Sequence, residues 1–293
     1  MSNEKFSYTE FTNRNIGFVT EAEQAKLEGA TVFVCGTGGM GGAAILGLVR
    51  AGIGRLIIAD LDGFEVSNLN RQVFAFIHNI EVHKAEATSS ICKQINPEID
   101  ITVYHDDWPE HVEEAITQAT IVINGTDDLA ASLLLYRVAR KLGRTVIDAY
   151  ASPLPSIYVT KAGAPTPEER LGYPTVGTEW NVVSQTQREQ SFLCEAEYIM
   201  INSSSRHHID LELAGEVAAG RRSRMSFAPM VICTGMLMTY EAIAGCLQKS
   251  HGADHRGWFF NPYKARVEHP KSPLIAAVLR PIVRRFLNKM IES

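Results

Sequence analysis

Apolar positions early in the chain come in short unbroken runs. Thr31–Cys35 is apolar and largely β-branched with no polar alternation, and Arg55–Asp60 (RLIIAD) repeats the pattern. Runs of this kind mark strands buried on both faces of a parallel sheet. A helix over Ala43–Ala51 lies between them, and another near Glu21–Leu27 precedes them. The alternation continues with a helix at His83–Ile95, a strand at Ile101–Tyr104, a helix at Pro109–Gln118, a strand at Thr120–Asn124, a helix at Leu129–Leu142 and a strand at Thr145–Ala149. Such a series predicts an α/β fold: a doubly wound, mostly parallel, Rossmann-like sheet with right-handed crossovers.

After Tyr150 the texture changes. Ser152–Gln190 is rich in Pro, Gly, Thr and Gln and weakly periodic, which predicts an irregular insertion, with short strands at Ile157–Thr160 and Tyr198–Asn202. An apolar helix over Pro229–Leu247 returns to the core. The C-terminal helical tail, Leu274–Ile291, is amphipathic. Leu274, Val278, Ile282 and Phe286 recur at helical spacing, with Arg280, Arg284, Arg285 and Lys289 between them. The expected organisation is an N-terminal arm and helix (1–29), a sheet domain (30–150), a crossover segment (151–226) and a core helix with its tail (227–293).

Composition narrows the class. With 45% hydrophobic and 21% charged residues, 293 residues supply a substantial core. A net charge of −5 argues against a surface devoted to nucleic acid. The five cysteines are widely spaced and form no CxxC pair, so no structural zinc is expected and a reducing compartment is. The first residues, MSNEKFSYTEF, are polar and unlike a secretory signal. Phe227–Leu247 carries Pro229 and Glu241, so it reads as a buried helix rather than an integral membrane segment. The expected location is cytoplasmic.

Candidate chemistry begins at the glycine-rich turn Gly36–Gly42, set between a strand and a helix. There backbone amides can approach a phosphate and the helix N-terminus favours an anion. Gly38, Gly39 and Gly41 are the expected contact positions, and Asp60 ends the next strand where a carboxylate can accept from ribose hydroxyls. These features suit dinucleotides and mononucleotides alike. The loop from Asp60 to Gln72, with Arg71 near its end, and then Lys84, separates the two. A triphosphate needs cations before a second anion can approach its α-phosphorus, and Arg71 offers a fork and Lys84 a point charge. Asp127, in Asn124-Gly125-Thr126-Asp127-Asp128 at a strand's C-terminal end, is placed to hold Mg²⁺, while Asp128 can cap the following helix.

Together these pieces resemble the ubiquitin-activating-enzyme superfamily, in particular bacterial members that adenylate sulfur-carrier proteins in molybdopterin and thiamine biosynthesis. The resemblance rests on Gly36–Gly42, Asp60-x-Asp62, Ser67-Asn68-Leu69-Asn70-Arg71-Gln72, Lys84, Gln94-Ile95-Asn96-Pro97, Thr126-Asp127 and Phe227-Ala228-Pro229, in that order, over Phe11 to Leu247. It implies ATP-dependent activation of a carboxylate as an acyl-AMP with release of pyrophosphate. The nucleotide would be bound by Gly38, Gly39, Gly41, Asp60, Asp62, Asn68, Asn70, Arg71, Lys84 and Asp128, and the magnesium by Asp127. The implied catalytic set is Arg14, Arg71, Lys84 and Asp127. The resemblance also implies a homodimer in which Arg14 reaches the partner's ATP. The implied partner is a small ubiquitin-like carrier protein or a precursor peptide, facing a groove wall formed by 152–222, where His207 and His208 could touch it.

An alternative drawn from the same superfamily is a tRNA-modifying dehydratase of the cyclic-threonylcarbamoyladenosine type, with Arg221, Arg222 and Arg224 on tRNA phosphates. The chain departs from its relatives in lacking the paired CxxC motifs. It also lacks a cysteine just before Ala228-Pro229, where many relatives receive the acyl group. Cys194, about 35 residues earlier, is the nearest cysteine before that point.

Overall fold

The computed structural model describes residues 6–292. Five strands, β1 (Thr31–Cys35), β2 (Arg55–Ala59), β3 (Asp100–Tyr104), β4 (Ile121–Asn124) and β5 (Val146–Asp148), run parallel in the order β3-β2-β1-β4-β5. The sheet continues past β5 with β6 (Ser156–Thr160), β7 (Trp258–Asn261) and β8 (Arg266–Glu268), each antiparallel to its neighbour. The sheet therefore crosses the division expected at residue 150. The β7–β8 hairpin had no counterpart among the expected elements.

Eleven helices surround the sheet among the described residues. They are α1 (Tyr8–Thr12), α2 (Glu21–Glu28), α3 (Gly39–Arg50), α4 (Lys84–Ile95), α5 (Trp108–Gln118), α6 (Leu129–Lys141), α7 (Pro167–Leu171), α8 (Gln185–Asn202), α9 (Leu211–Ala218), α10 (Ala228–Cys246) and α11 (Pro273–Glu292). Side chains alternate along each strand, so the apolar runs bury against both helical layers. Val32, Val34, Leu56 and Ile58 face α3, α4 and α10, whereas Phe33, Cys35, Ile57 and Ala59 face α5 and α6. By length and composition alone α10 could cross a membrane, but Met238 and Ala242 are fully buried in the core. It lies close against α3: a Cβ placed on Gly235 would sit 2.4 Å from the Ala43 Cβ.

Two expectations about elements are corrected. The helix after the glycine turn starts at Gly39 rather than Ala43, so the later glycines form its first turn. Tyr198–Asn202, expected as a strand, is the last turn of α8, whose start is fixed by a reciprocal cap between Ser184 and Gln187. The misreading has a physical cause. Ile199 buries against the sheet layer while Ile201 buries against Val283 and Leu287 of α11, which mimics the alternation of a strand.

The tail is helical as expected, but Leu274, Val278, Ile282 and Phe286 remain exposed. The helix docks through Val283 and Leu287, and through Arg280 and Arg284, which both pair with the buried carboxylate of Glu197.

Candidate active site

The strand order reverses between β1 and β4, and the loops that leave their C-terminal ends meet there. Open parallel sheets bind ligands at this kind of crevice. Gly36 has φ +91°, a left-handed conformation, and a Cβ on it would lie 2.5 Å from the Gly125 carbonyl carbon. A Cβ on Gly41 would lie 1.9 Å from the Gly36 carbonyl oxygen. The two turns thus touch backbone to backbone.

The three expected phosphate-contact glycines occupy different settings. Gly41 is fixed by this close approach, and Gly39 by Val231 of α10, whose Cγ1 would lie 2.7 Å from an added Cβ. Gly38, at the N-cap of α3, has only the Gln72 side chain nearby, at 3.5 Å. Gln72 is buried, and its Oε1 has no partner.

A relay of polar contacts ties the turn to the charged loop. Oδ2 of Asp60 accepts from the amide and hydroxyl of Thr37 (2.6 and 2.9 Å), and Oδ1 accepts from the Asp62 amide (3.1 Å). Asp62 pairs with Lys84 at 2.9 Å, and Lys84 itself is buried. Arg71 donates to the Ser67 carbonyl (2.8 Å) and to Asn70 Oδ1 (3.0 Å). Asn68 is buried and accepts from the Glu65 amide at 3.1 Å, and Asn70 donates to the Ser226 carbonyl at 3.2 Å. Both asparagines therefore hold the loop's shape, and Asn70 joins it to the segment that enters α10.

Across the crevice, Asp127 is exposed, and Arg224 Nη1 stands 4.0 Å from its carboxylate. Asp128 caps α6 by accepting from the Ala131 amide (2.8 Å) and pairs through its other oxygen with Arg188. Arg14 is exposed beside α1 and α2, where Tyr8 and Gln24 bond the Gly52 and Ala51 carbonyls past the far end of α3. Twelve residues of helix, roughly 18 Å of rise, separate that end from the chain's own glycine turn.

Behind Asp127 lies a cavity of about 120 Å³ that sequence reasoning did not foresee. Its floor is Asn124 and Asp148, its walls include Tyr136, Tyr158 and Tyr173, and α8 contributes Arg188, Ser191, Phe192 and Glu195. Asp148 Oδ2 accepts from Asn124 (2.8 Å), Tyr136 (3.0 Å) and Tyr158 (2.7 Å). Burial still outweighs these bonds and raises its pKa to about 7. Burial also raises Glu195, opposed by a bond from the Ala151 amide and by Arg224 and Arg170. The Arg170 guanidinium is stacked among the rings of Tyr150, Tyr158 and Tyr198, 4.8–5.5 Å from their centres. Arg137–Glu168 (2.7 Å) and Arg140–Glu169 (2.6 Å) clamp α7 onto α6, and Arg140 is the chief cause of Glu169's fall to about 2.

Of the other candidates, Arg224 lines this cavity and the rest fall outside its lining. Cys194 is half-buried, with its sulfur 3.8 Å from the Gly172 carbonyl, and its thiol is pushed up by burial and by Glu197. His208 stacks on Tyr263 of the β7–β8 hairpin. Of the basic cluster, Arg222 faces Glu216 at 3.7 Å and Arg224 turns toward Asp127.

Comparison with known proteins gives the arrangement its relatives. Sulfur carrier protein ThiS adenylyltransferase of Escherichia coli is 34% identical over 108 residues, covering 36% of this chain and 43% of that protein. Adenylyltransferase and sulfurtransferase UBA4 of Candida glabrata is 34% identical over 127 residues, covering 43% of this chain and 29% of that protein. The chain thus spans less than half the length of the curated relatives it matches. Among solved structures, E. coli MccB with succinimide superposes with a TM-score of 0.64 at 16% identity, covering 92% of this chain and 74% of that one. The E. coli tRNA N6-threonylcarbamoyladenosine dehydratase TcdA in complex with ATP gives 0.59 at 19% identity, covering 82% and 95%. At such identities these two establish the fold. The ThiF family model matches residues 12–274, from the N-terminal arm through the start of α11, and the chain is a member of the ThiF family.

Proposed function

We propose that this protein is an ATP-dependent adenylyltransferase that activates a carboxylate, most simply the C-terminus of a small carrier protein or precursor peptide. The observation that carries the reading is the convergence at the β1/β4 switch point of a glycine turn, the Lys84–Asp62–Asp60–Thr37 relay and an exposed carboxylate, Asp127. MgATP is the co-substrate. The amide end of α3 takes the phosphates, Asp60 and its loop take the ribose, and Arg71 and Lys84 balance the triphosphate charge. Asp127, exposed at the mouth of the crevice, would supply a protein ligand to the magnesium that accompanies ATP, whose charge would help neutralise the phosphates.

A carboxylate oxygen attacks the α-phosphorus, the bond to the bridging oxygen breaks, and pyrophosphate leaves. Positioning and charge neutralisation supply most of the rate. Arg14, too far along α3 to serve its own chain, would act on a partner's ATP in a homodimer.

Exchange of labelled pyrophosphate into ATP, screened against small carrier proteins, precursor peptides and tRNA, tests the proposal. Exchange with a carrier or peptide is the expected result. Exchange with tRNA alone would move the reading to a tRNA-modifying enzyme, and nicotinamide-dinucleotide binding in place of ATP would end it.

A further inference from the structure

Helix α11 is held to the body by one face and turns an apolar face outward. Val283 and Leu287 are buried with Ile201 of α8, and Arg280 and Arg284 both pair with the buried carboxylate of Glu197. Two ion pairs to one carboxylate fix how the helix is rolled, so the other side stays in solvent. On that side Leu274, Val278, Ile282 and Phe286 recur every fourth residue, flanked by Ile275. Leu274 is 82% exposed, Val278 69% and Ile282 62%. A continuous apolar stripe left in water by a well-docked helix marks an interaction surface.

Charge says what it meets. Between residues 271 and 290 the chain carries five cations, Lys271, Arg280, Arg284, Arg285 and Lys289, and no acidic residue, although its net charge is −5. Glu197 takes up Arg280 and Arg284. Arg285 and Lys289 are exposed and follow Val278 and Ile282 by about two turns, so they share the apolar stripe. A second copy of this face would set like charges against each other with no carboxylate between them. Nucleic acid would satisfy the cations and leave the apolar side chains wet. The stripe is also a convex ridge of roughly 18 Å from Leu274 to Phe286, which suits a deformable plane without a matching groove. A bilayer of anionic lipid offers both halves of the match, acyl chains for the ridge and phosphates for cations that reach outward on aliphatic stems.

We infer that α11 is a peripheral membrane-docking helix that lies in the plane of an anionic lipid surface. Leu274, Ile275, Val278, Ile282 and Phe286 enter the boundary between headgroups and acyl chains, and Arg285 and Lys289 meet the lipid phosphates. The attachment does not span the bilayer, and it is reversible. Its electrostatic part acts within a Debye length, so salt weakens it.

The test sediments the full chain with vesicles of phosphatidylcholine alone and of equimolar phosphatidylcholine and phosphatidylglycerol. Affinity for the mixed vesicles should be at least about tenfold higher and should fall as salt is raised. Val278→Asp combined with Ile282→Asp should weaken binding to the mixed vesicles by about tenfold or more. Arg285→Glu combined with Lys289→Glu should abolish the preference for them. All four positions are exposed, so thermal melting by circular dichroism should stay within about 2 °C of the parent. Absence of binding to the mixed vesicles, equal binding to neutral ones, or binding unchanged by either double substitution would overturn the inference. A mass halved by the double aspartate variant in sedimentation equilibrium would assign the face to a second copy. Bulk tRNA binding that is lost with Arg285→Glu and Lys289→Glu, without vesicle binding, would assign it to nucleic acid. Either result overturns the inference as well.

Discussion

Replacing Asp127 with alanine separates chemistry from folding. The carboxylate is exposed at the crevice mouth, and its ion-pair contact is Arg224 at 4.0 Å, with side chains 84% and 47% exposed. Exposed pairs at that separation contribute at most a few tenths of a kcal/mol. The substitution removes no buried volume, so calorimetry should find the Tm within about 1–2 °C of the parent. If the carboxylate holds the metal on ATP, its loss costs transition-state stabilisation of roughly 3–4 kcal/mol, on the scale of deleting one preorganised electrostatic group. That is a fall of about 10²–10³ in pyrophosphate exchange, to near background. The neighbouring Asp128→Ala provides the contrast. Its carboxylate caps α6 and binds Arg188, so its removal should cost about 1 kcal/mol or more of stability. Exchange within threefold of the parent in Asp127→Ala, or a Tm lowered by several degrees, would show that the residue is not the metal ligand proposed.

Gly41→Ala should lower the folded yield or the Tm sharply by circular dichroism, since its Cβ would lie 1.9 Å from the Gly36 carbonyl oxygen, whereas Gly38→Ala should fold normally and weaken ATP binding in calorimetry. Mixed one-to-one with Asp127→Ala, an inactive Arg14→Ala protein should recover about a quarter of parental exchange, because half the dimers are mixed and each carries one intact site; no recovery would exclude action in trans. The Asp148 carboxyl is raised from 3.8 to about 7, so the native state holds a proton that the unfolded chain releases. Stability should therefore fall as pH rises from about 4 to 7 and level off above, by an amount on the order of 4 kcal/mol from this group. Denaturant titrations of Asp148→Asn across that range should lose this slope.

How much of this was written in the sequence depends on the signal each part leaves. β1, β2, β4 and β5 were legible because a strand buried on both faces must be almost wholly apolar, and the half-exposed edge strand β3 through its β-branched run Ile101-Thr102-Val103. Asp128 as a cap was legible too, since capping is local. The cavity was not. Its α8 face, Arg188, Ser191, Phe192 and Glu195, has helical spacing but is mostly polar, so it carries no hydrophobic period to read. Ser184-x-x-Gln187 could have flagged the helix start, and the Tyr150, Tyr158 and Tyr198 cage around Arg170 joins residues from three distant segments. The tail misled in the opposite sense: its regular apolar stripe is the exposed one, while Val283 and Leu287 make the contact.

The glycine turn is weaker evidence of phosphate binding than its appearance suggests. Gly36, Gly41 and Gly125 are required by the contact between the β1 and β4 loops, and Gly39 by α10, with or without a ligand. Any protein that builds this switch point needs them, so they report the fold. Gly38 alone has space around it that packing does not claim. What distinguishes a triphosphate site lies instead in polar groups that the fold has no use for: a buried lysine held by an exposed aspartate, and a second aspartate left open beside an arginine. Lys84 costs desolvation, and neither pair adds much stability where it stands. A ligand of several negative charges carrying a metal, as proposed above, would give the buried lysine a counter-charge and the open aspartate a ligand to hold.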